Sequence, residues 1–127
     1  MAQLKQISIS HLKEHIIACV SEKKATDIRE YDVQKHTWLT DYVMVIGVSN
    51  VIHCRAIVAA LIDVVSNLSE EVKDQLELSD IKQSGTIDSG WVILDLGPLV
   101  IHCIDSQSRT FYKLDDLLEK QGTVYHY

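Results

Sequence analysis

The sequence predicts an α/β domain, and three observations carry that reading. Apolar residues recur at helical spacing near the start and again after Gly47, short apolar runs of strand length lie between and after them, and a Gly-Pro pair separates two such runs as a hairpin turn would. The 127 residues are 46% hydrophobic and 24% charged, which fits one domain with one core, residues 1–127.

The elements follow in order. In ISISHLKEHIIACV (7–20), Ile9, Leu12, Ile16 and Cys19 or Val20 share one face, with Ser10 as the expected N-cap. TDIREYDV (26–33) alternates Ile28, Glu30 and Asp32 against Asp27, Arg29, Tyr31 and Val33, as a strand does. TDYVMVIGV (40–48) is a compact apolar strand, and QKHTWL reads as the hairpin connection between the two. After Gly47, Ser49 or Asn50 caps a helix that is apolar on most of its circumference, so it must be covered on more than one side. The polar stretch 69–90 is either a helical extension or a surface loop leading to a strand near Ile81. Strands 91–96 and 99–104 then flank Gly97-Pro98, where Gly supplies the positive φ of a type II′ turn. FYKLDDLLEKQ closes the chain as a short acidic helix, and the tail GTVYHY is expected to fray.

If residues 96 and 99 bracket a two-residue turn, opposed residues are 95 with 100, 93 with 102 and 91 with 104. Asp95 and His102 then lie diagonally beside Trp91 on one face. An Asp–His contact there would raise the proton affinity of the histidine. A catalytic triad needs a nucleophile as well, and no G-x-S-x-G elbow exists. Trp91 fits either a core position or an interface.

Several chemistries lack their motifs. His53-Cys54 and His102-Cys103 each offer one ligand at most, because adjacent side chains diverge, so no metal is expected. Neither a phosphate loop nor G-x-G-x-x-G is present, and Gly47-Val48-Ser49 reads as a helix cap, so no cofactor is expected. The formal charge of −6 disfavours nucleic acid and favours a basic protein partner. Cys19, Cys54 and Cys103, odd in number and in apolar settings, are expected as free thiols. No apolar run reaches the ~18 residues of a membrane span, and MAQLKQISIS does not resemble a secretory signal; the expected location is cytoplasmic.

Three ordered blocks resemble the Iojap family, the bacterial ribosomal silencing factors. The first holds Thr40, Asp41, Tyr42, Ser49, His53, Ala56 and Ile57; the second Gly85, Trp91, Asp95, Leu96 and Gly97; the third His102, Arg109, Phe111, Tyr112, Leu114 and Leu117. Upstream, Asp27, Ile28, Asp32 and Val33 match a family strand, so the resemblance spans about residues 8 to 118. Departures are Ser84 in place of glutamate, Pro98 in place of aspartate, the loss of a tryptophan near Leu118, and a longer 69–83 segment.

The resemblance implies a mixed β-sheet flanked by helices, with a nucleotidyltransferase-like architecture. It implies a translation repressor rather than an enzyme, and the sequence contains no D-x-D pair such as active nucleotidyltransferases use. The implied partner is the large ribosomal subunit, through large-subunit ribosomal protein fourteen, with steric exclusion of the small subunit; a homodimer is implied for the free protein. In the family the contact surface corresponds to Trp91, Leu96 and Tyr112 here, which tips Trp91 toward an interface. His102, Asp95 and Arg109 are expected at its polar rim.

Overall fold

The computed structural model describes residues 8–35 and 39–127. Helix α1 (Ile9–Glu22) is followed by β1 (Thr26–Asp32), β2 (Tyr42–Val48), α2 (Val51–Ser66) and α3 (Glu70–Gln75). Then come β3 (Lys82–Thr86), a 3₁₀ turn (Ile87–Ser89), β4 (Trp91–Asp95), β5 (Leu99–Asp105), α4 (Ser106–Phe111), α5 (Leu114–Glu119) and β6 (Thr123–His126). One six-stranded sheet runs β3-β4-β5-β2-β1-β6. It is mixed as expected: β2 and β5 are parallel and the remaining neighbours antiparallel.

Strand β2 is buried on both faces, which is why it reads as a continuous apolar run rather than an alternating one. Met44, Ile46 and Val48 join Leu94, Ile101 and Cys103 in the main core under α1 and α2. On the opposite face Val43, Val45 and Ile104 pack with Tyr31, Val33 and the α5 residues Leu114 and Leu118. Gly47 is required where β1 crosses close by, since a Cβ there would lie 2.5 Å from the Thr26 carbonyl oxygen.

Helix α1 starts earlier than expected. Ser8, not Ser10, is the N-cap: its backbone is extended, its Oγ accepts from the His11 amide, and the Ser8 amide donates to His11 Nδ1. Capping is decided by the residue whose extended backbone aims its oxygen at the first free amides, and two serines in ISIS offer the same chemistry. The stripe is otherwise as predicted, with Leu12, Ile16 and Val20 buried. Lys13 is buried too, because its ammonium meets Glu30 of β1 at 2.8 Å and lies 3.4 Å from the centre of the Tyr42 ring.

Asn50 caps α2 by accepting from the His53 amide. His53 is a tether between two helices: its Nδ1 accepts from the Ser49 amide and its Nε2 lies 2.7 Å from the Lys23 carbonyl oxygen at the end of α1. The sheet and α1 cover α2, which leaves Ile52, 77% exposed, on its outer side. The undecided stretch 69–90 contains both alternatives in part. Ser69 caps the short α3, and an irregular link leads to the edge strand β3, which begins one residue after Ile81.

The tail does not fray. Residues 123–126 pair antiparallel with β1, the Tyr127 amide donates to the Ile28 carbonyl, and the Tyr127 hydroxyl donates to Glu30. The cause is non-local: without β6, the outer edge of β1 would present unpaired amides and carbonyls. Ending the chain after Gln121 is expected to lower stability by roughly 2 kcal/mol, the scale of a few net hydrogen bonds. Thermal unfolding of the shortened chain checks this, and an unchanged midpoint would mean that β6 contributes nothing. The expected β1–β2 hairpin is present, while His36, Thr37 and Trp38 of its connection lie outside the described residues.

Candidate functional site: an aromatic-edged sheet face

The β4–β5 hairpin has the predicted register: Trp91 opposes Ile104, Ile93 opposes His102, and Asp95 opposes Val100. Gly97 takes φ +96° at the turn, and the Leu96 amide donates to the Leu99 carbonyl. Parity then separates two faces. Val92, Leu94, Ile101 and Cys103 point into the main core, whereas Trp91, Ile93, Asp95, Val100 and His102 lie half-buried on the other side. Edge strand β3 extends this second face with Lys82, Ser84 and Thr86, the partners of Asp95, Ile93 and Trp91.

Helix α4 brings aromatics to the margin of the face. The Trp91 and Tyr112 rings are 5.2 Å apart, and Phe111 packs edge-on against Tyr112 at 4.9 Å. Tyr112 is 54% exposed and Phe111 77%. The helix expected from Phe111 begins only at Leu114 as α5, because Lys113, with φ 51°, separates it from α4, a helix over Ser106–Phe111 that the sequence reading does not contain. The break allows Leu114 and Leu118 to turn inward while the two aromatics stay outside. Trp91 is half-buried, packed against the second core and against the Tyr112 ring.

The six predicted contact residues separate. Trp91 and Tyr112 meet at one edge of the face. Leu96 is 1% exposed in the main core, so it offers no surface in this conformation; its carbonyl accepts from the Ser79 amide, which ties the link after α3 to the hairpin. Asp95 accepts from the Gly97 amide at 2.8 Å and so braces the turn.

His102 does not pair with Asp95. Its Nδ1 accepts from the Trp91 indole Nε1–H at 2.9 Å. Indole can only donate, so Nδ1 carries no proton and the neutral ring holds its hydrogen on Nε2. The expected gain in proton affinity is therefore reversed: burial pushes the histidine from 6.5 down to about 4.

This has a measurable consequence for stability. Between about pH 6.5 and 4 the unfolded chain binds a proton at His102 that the folded chain refuses, so stability falls as the solution is acidified through this window. The loss reaches about 3 kcal/mol at the acid end, at 1.36 kcal/mol per pH unit. Denaturant titrations of wild type and His102→Asn should diverge below pH 6.5, with the variant flatter; parallel curves would show that His102 is not held neutral.

Arg109 belongs to the fold rather than to an exposed rim. It is 7% exposed, with Nε 2.6 Å and one terminal nitrogen 3.0 Å from the two Asp115 oxygens, and the other terminal nitrogen donates to the Asp27 carbonyl at 2.8 Å. Asp27 needs that support, because it sits at φ 45° where the β1–β2 pairing shifts register. Phe111, part of the third sequence block but not among the six expected contact residues, adds an exposed ring beside Tyr112.

Fold and site define a single-domain α/β protein with one half-open sheet face edged by aromatic rings. Such a face suits contact with a macromolecule, since rigid rings bury large areas at little entropic cost. The chain belongs to the family described as "RsfS: Ribosomal silencing factor during starvation", which matches residues 6–125. It is 29% identical over 111 residues to the ribosomal silencing factor RsfS of Bacillus subtilis, covering 85% of this chain and 84% of that one. To the chloroplastic protein Iojap of Zea mays it is 30% identical over 97 residues, covering 76% of this chain and 38% of the maize protein. The RsfS of Haemophilus influenzae is 27% identical over 110 residues, with 84% and 96% covered. A crystal structure from Chromobacterium violaceum superposes with TM-score 0.74 at 22% identity, covering 89% of this chain and 88% of that one. One from Bacillus halodurans gives 0.63 at 21%, with 85% and 93% covered. These two establish the fold alone. Among the described residues no helix is long and apolar enough to cross a membrane, and no three His, Cys, Asp or Glu side chains converge as a metal site.

Proposed function

We propose that this protein silences ribosomes by binding the large subunit through large-subunit ribosomal protein fourteen and excluding the small subunit sterically, without catalysing a reaction. The observation that carries the reading is the joined aromatic edge of Trp91, Tyr112 and Phe111 on a half-open sheet face, in a chain whose family relatives are named ribosomal silencing factors. The net charge of −6 supports a basic protein as the partner, since opposite charge accelerates encounter and discourages direct binding to RNA. A cytoplasmic location accompanies this role.

The test is co-sedimentation with purified large subunits, followed by addition of small subunits. Comigration and a reduced yield of joined ribosomes support the reading; no comigration rejects it. For the free chain we propose a homodimer, with the outer side of α2 around Ile52 as the contact. Analytical ultracentrifugation of Ile52→Glu should then report a monomer that still binds large subunits, and a monomeric wild type would reject the dimer.

A further inference from the structure

We propose that His102 is a positioning residue that acts on the partner through Trp91, fixing the indole in the orientation that docks. The inference rests on the proposed role of the aromatic edge and concerns how that edge is held.

Trp91 opens β4 directly after a 3₁₀ turn and Gly90, and its backbone is paired with Thr86 on one side and Ile104 on the other, which leaves the ring itself to be fixed by side-chain contacts. Three contacts restrain its ring. The second core lies under it, Tyr112 leans against it with ring planes at 45°, and His102 accepts its single N–H at 2.9 Å. The His102 ring lies 5.9 Å from the indole, inclined by 42°, so the two meet edge to edge through that bond rather than by stacking.

His102 is well placed for this and poorly placed for much else. It sits mid-strand between Val45 of β2 and Ile93 of β4, half-buried with apolar neighbours on both sides. A polar ring there needs a partner, and Trp91 supplies it. The bond also sets what Trp91 shows outward. With its only donor engaged internally, the indole presents carbon surface to the partner and leaves hydrogen bonding to groups such as the Tyr112 hydroxyl. A ring immobilised before encounter does not lose its rotamer freedom on binding, a saving of ~0.5–1.5 kcal/mol that corresponds to roughly three- to tenfold in affinity.

Asparagine places its side-chain oxygen close to where Nδ1 lies, so His102→Asn keeps the acceptor, whereas His102→Leu removes it at similar bulk. Both are made in the full chain, alone and with Trp91→Ala, and titrated against purified large subunits. Indole N–H resonances of the free proteins are followed by NMR, the Trp91 signal being identified by its loss in Trp91→Ala. The expected result is slow exchange of that proton in wild type and His102→Asn, faster exchange in His102→Leu, and binding weakened roughly three- to tenfold by His102→Leu alone. In the Trp91→Ala background the leucine should add nothing. Equal weakening in both backgrounds would make His102 a direct contact and overturn the proposal; so would an asparagine variant as weak as the leucine one, or an unchanged indole signal in His102→Leu. Failure of wild type to bind would instead overturn the docking reading together with this one, so the two failures are distinguishable.

Discussion

Replacing Trp91 and Tyr112 together by alanine should abolish co-sedimentation with large ribosomal subunits and restore full subunit joining. Central aromatic anchors cost ~2–4 kcal/mol each when truncated, so either single change should weaken binding by roughly 30- to 1000-fold. The two effects should not add, because the rings touch at 5.2 Å and each holds part of the other's position. Trp91→Ala also opens a gap beside Ile104 in the second core and is expected to lower stability. Tyr112→Ala separates folding from binding. Its ring is 54% exposed, so its loss should move the thermal midpoint little while still weakening association strongly. Phe111→Ala, at 77% exposure, should leave stability unchanged and weaken binding as well if the aromatic edge acts as one surface. Retention of binding in the Trp91/Tyr112 double variant would sink the assignment of the site.

How much of this was legible in the sequence depended on whether the deciding interactions are local. The hairpin register was legible to the residue, because Gly97-Pro98 sets the turn and a period of two then assigns every side chain to a face. The same parity places Leu96 opposite to Trp91, and the structure shows how far that goes: Leu96 is enclosed by the main core at the end of its strand. The sequence points Arg109 to a solvated rim because a charged residue is normally exposed, whereas the structure buries it. Its burial depends on Asp115, six positions ahead, and on Asp27, 82 positions back, groups brought together only by the packing of α4 and α5 on β1. The feasible Asp95–His102 contact does not form for a related reason. Register put both Asp95 and Trp91 within reach, but the aspartate has an amide two residues away that competes for it. Strand β6 carries no strong pattern of its own, and the empty edge of β1 recruits it.

Asp115→Ala should be the most destabilising single change on the second face, by about 3 kcal/mol, the low end of the cost of removing one partner from a buried ion pair, because Arg109 is buried but Asp115 only half-buried. The carboxylate accepts from Arg109 on both oxygens and from the Tyr31 hydroxyl at 2.5 Å, and Arg29 lies 3.8 Å away. Burial works against its charge, yet the bonds from Arg109 and Tyr31 outweigh burial and hold the carboxyl below its ordinary range. Tyr31 is fully enclosed, and burial together with the Asp115 bond pushes its hydroxyl upward, so it stays a donor. Alanine would thus leave a guanidinium and a phenol without their acceptor in a setting that water reaches poorly. If the cost arises from those orphaned donors, removing them as well should recover stability. The triple variant Tyr31→Phe, Arg109→Met, Asp115→Leu is expected to be more stable than Asp115→Ala alone, because an apolar set of similar volume needs no partners. The Asp27 carbonyl would still lose its Arg109 donor, so recovery should stop short of wild type. The acid dependence supplies an independent check. A folded-state pKa below the unfolded one stabilises above the unfolded value near 3.8 and is lost as pH falls through the folded value, so wild type should lose this contribution below pH 4 while the triple variant does not. Equilibrium denaturation of the three proteins at pH 7 and pH 3 would decide the matter; equal stability of Asp115→Ala and wild type at pH 7 would show that the network contributes nothing to holding α4 and α5 on the sheet.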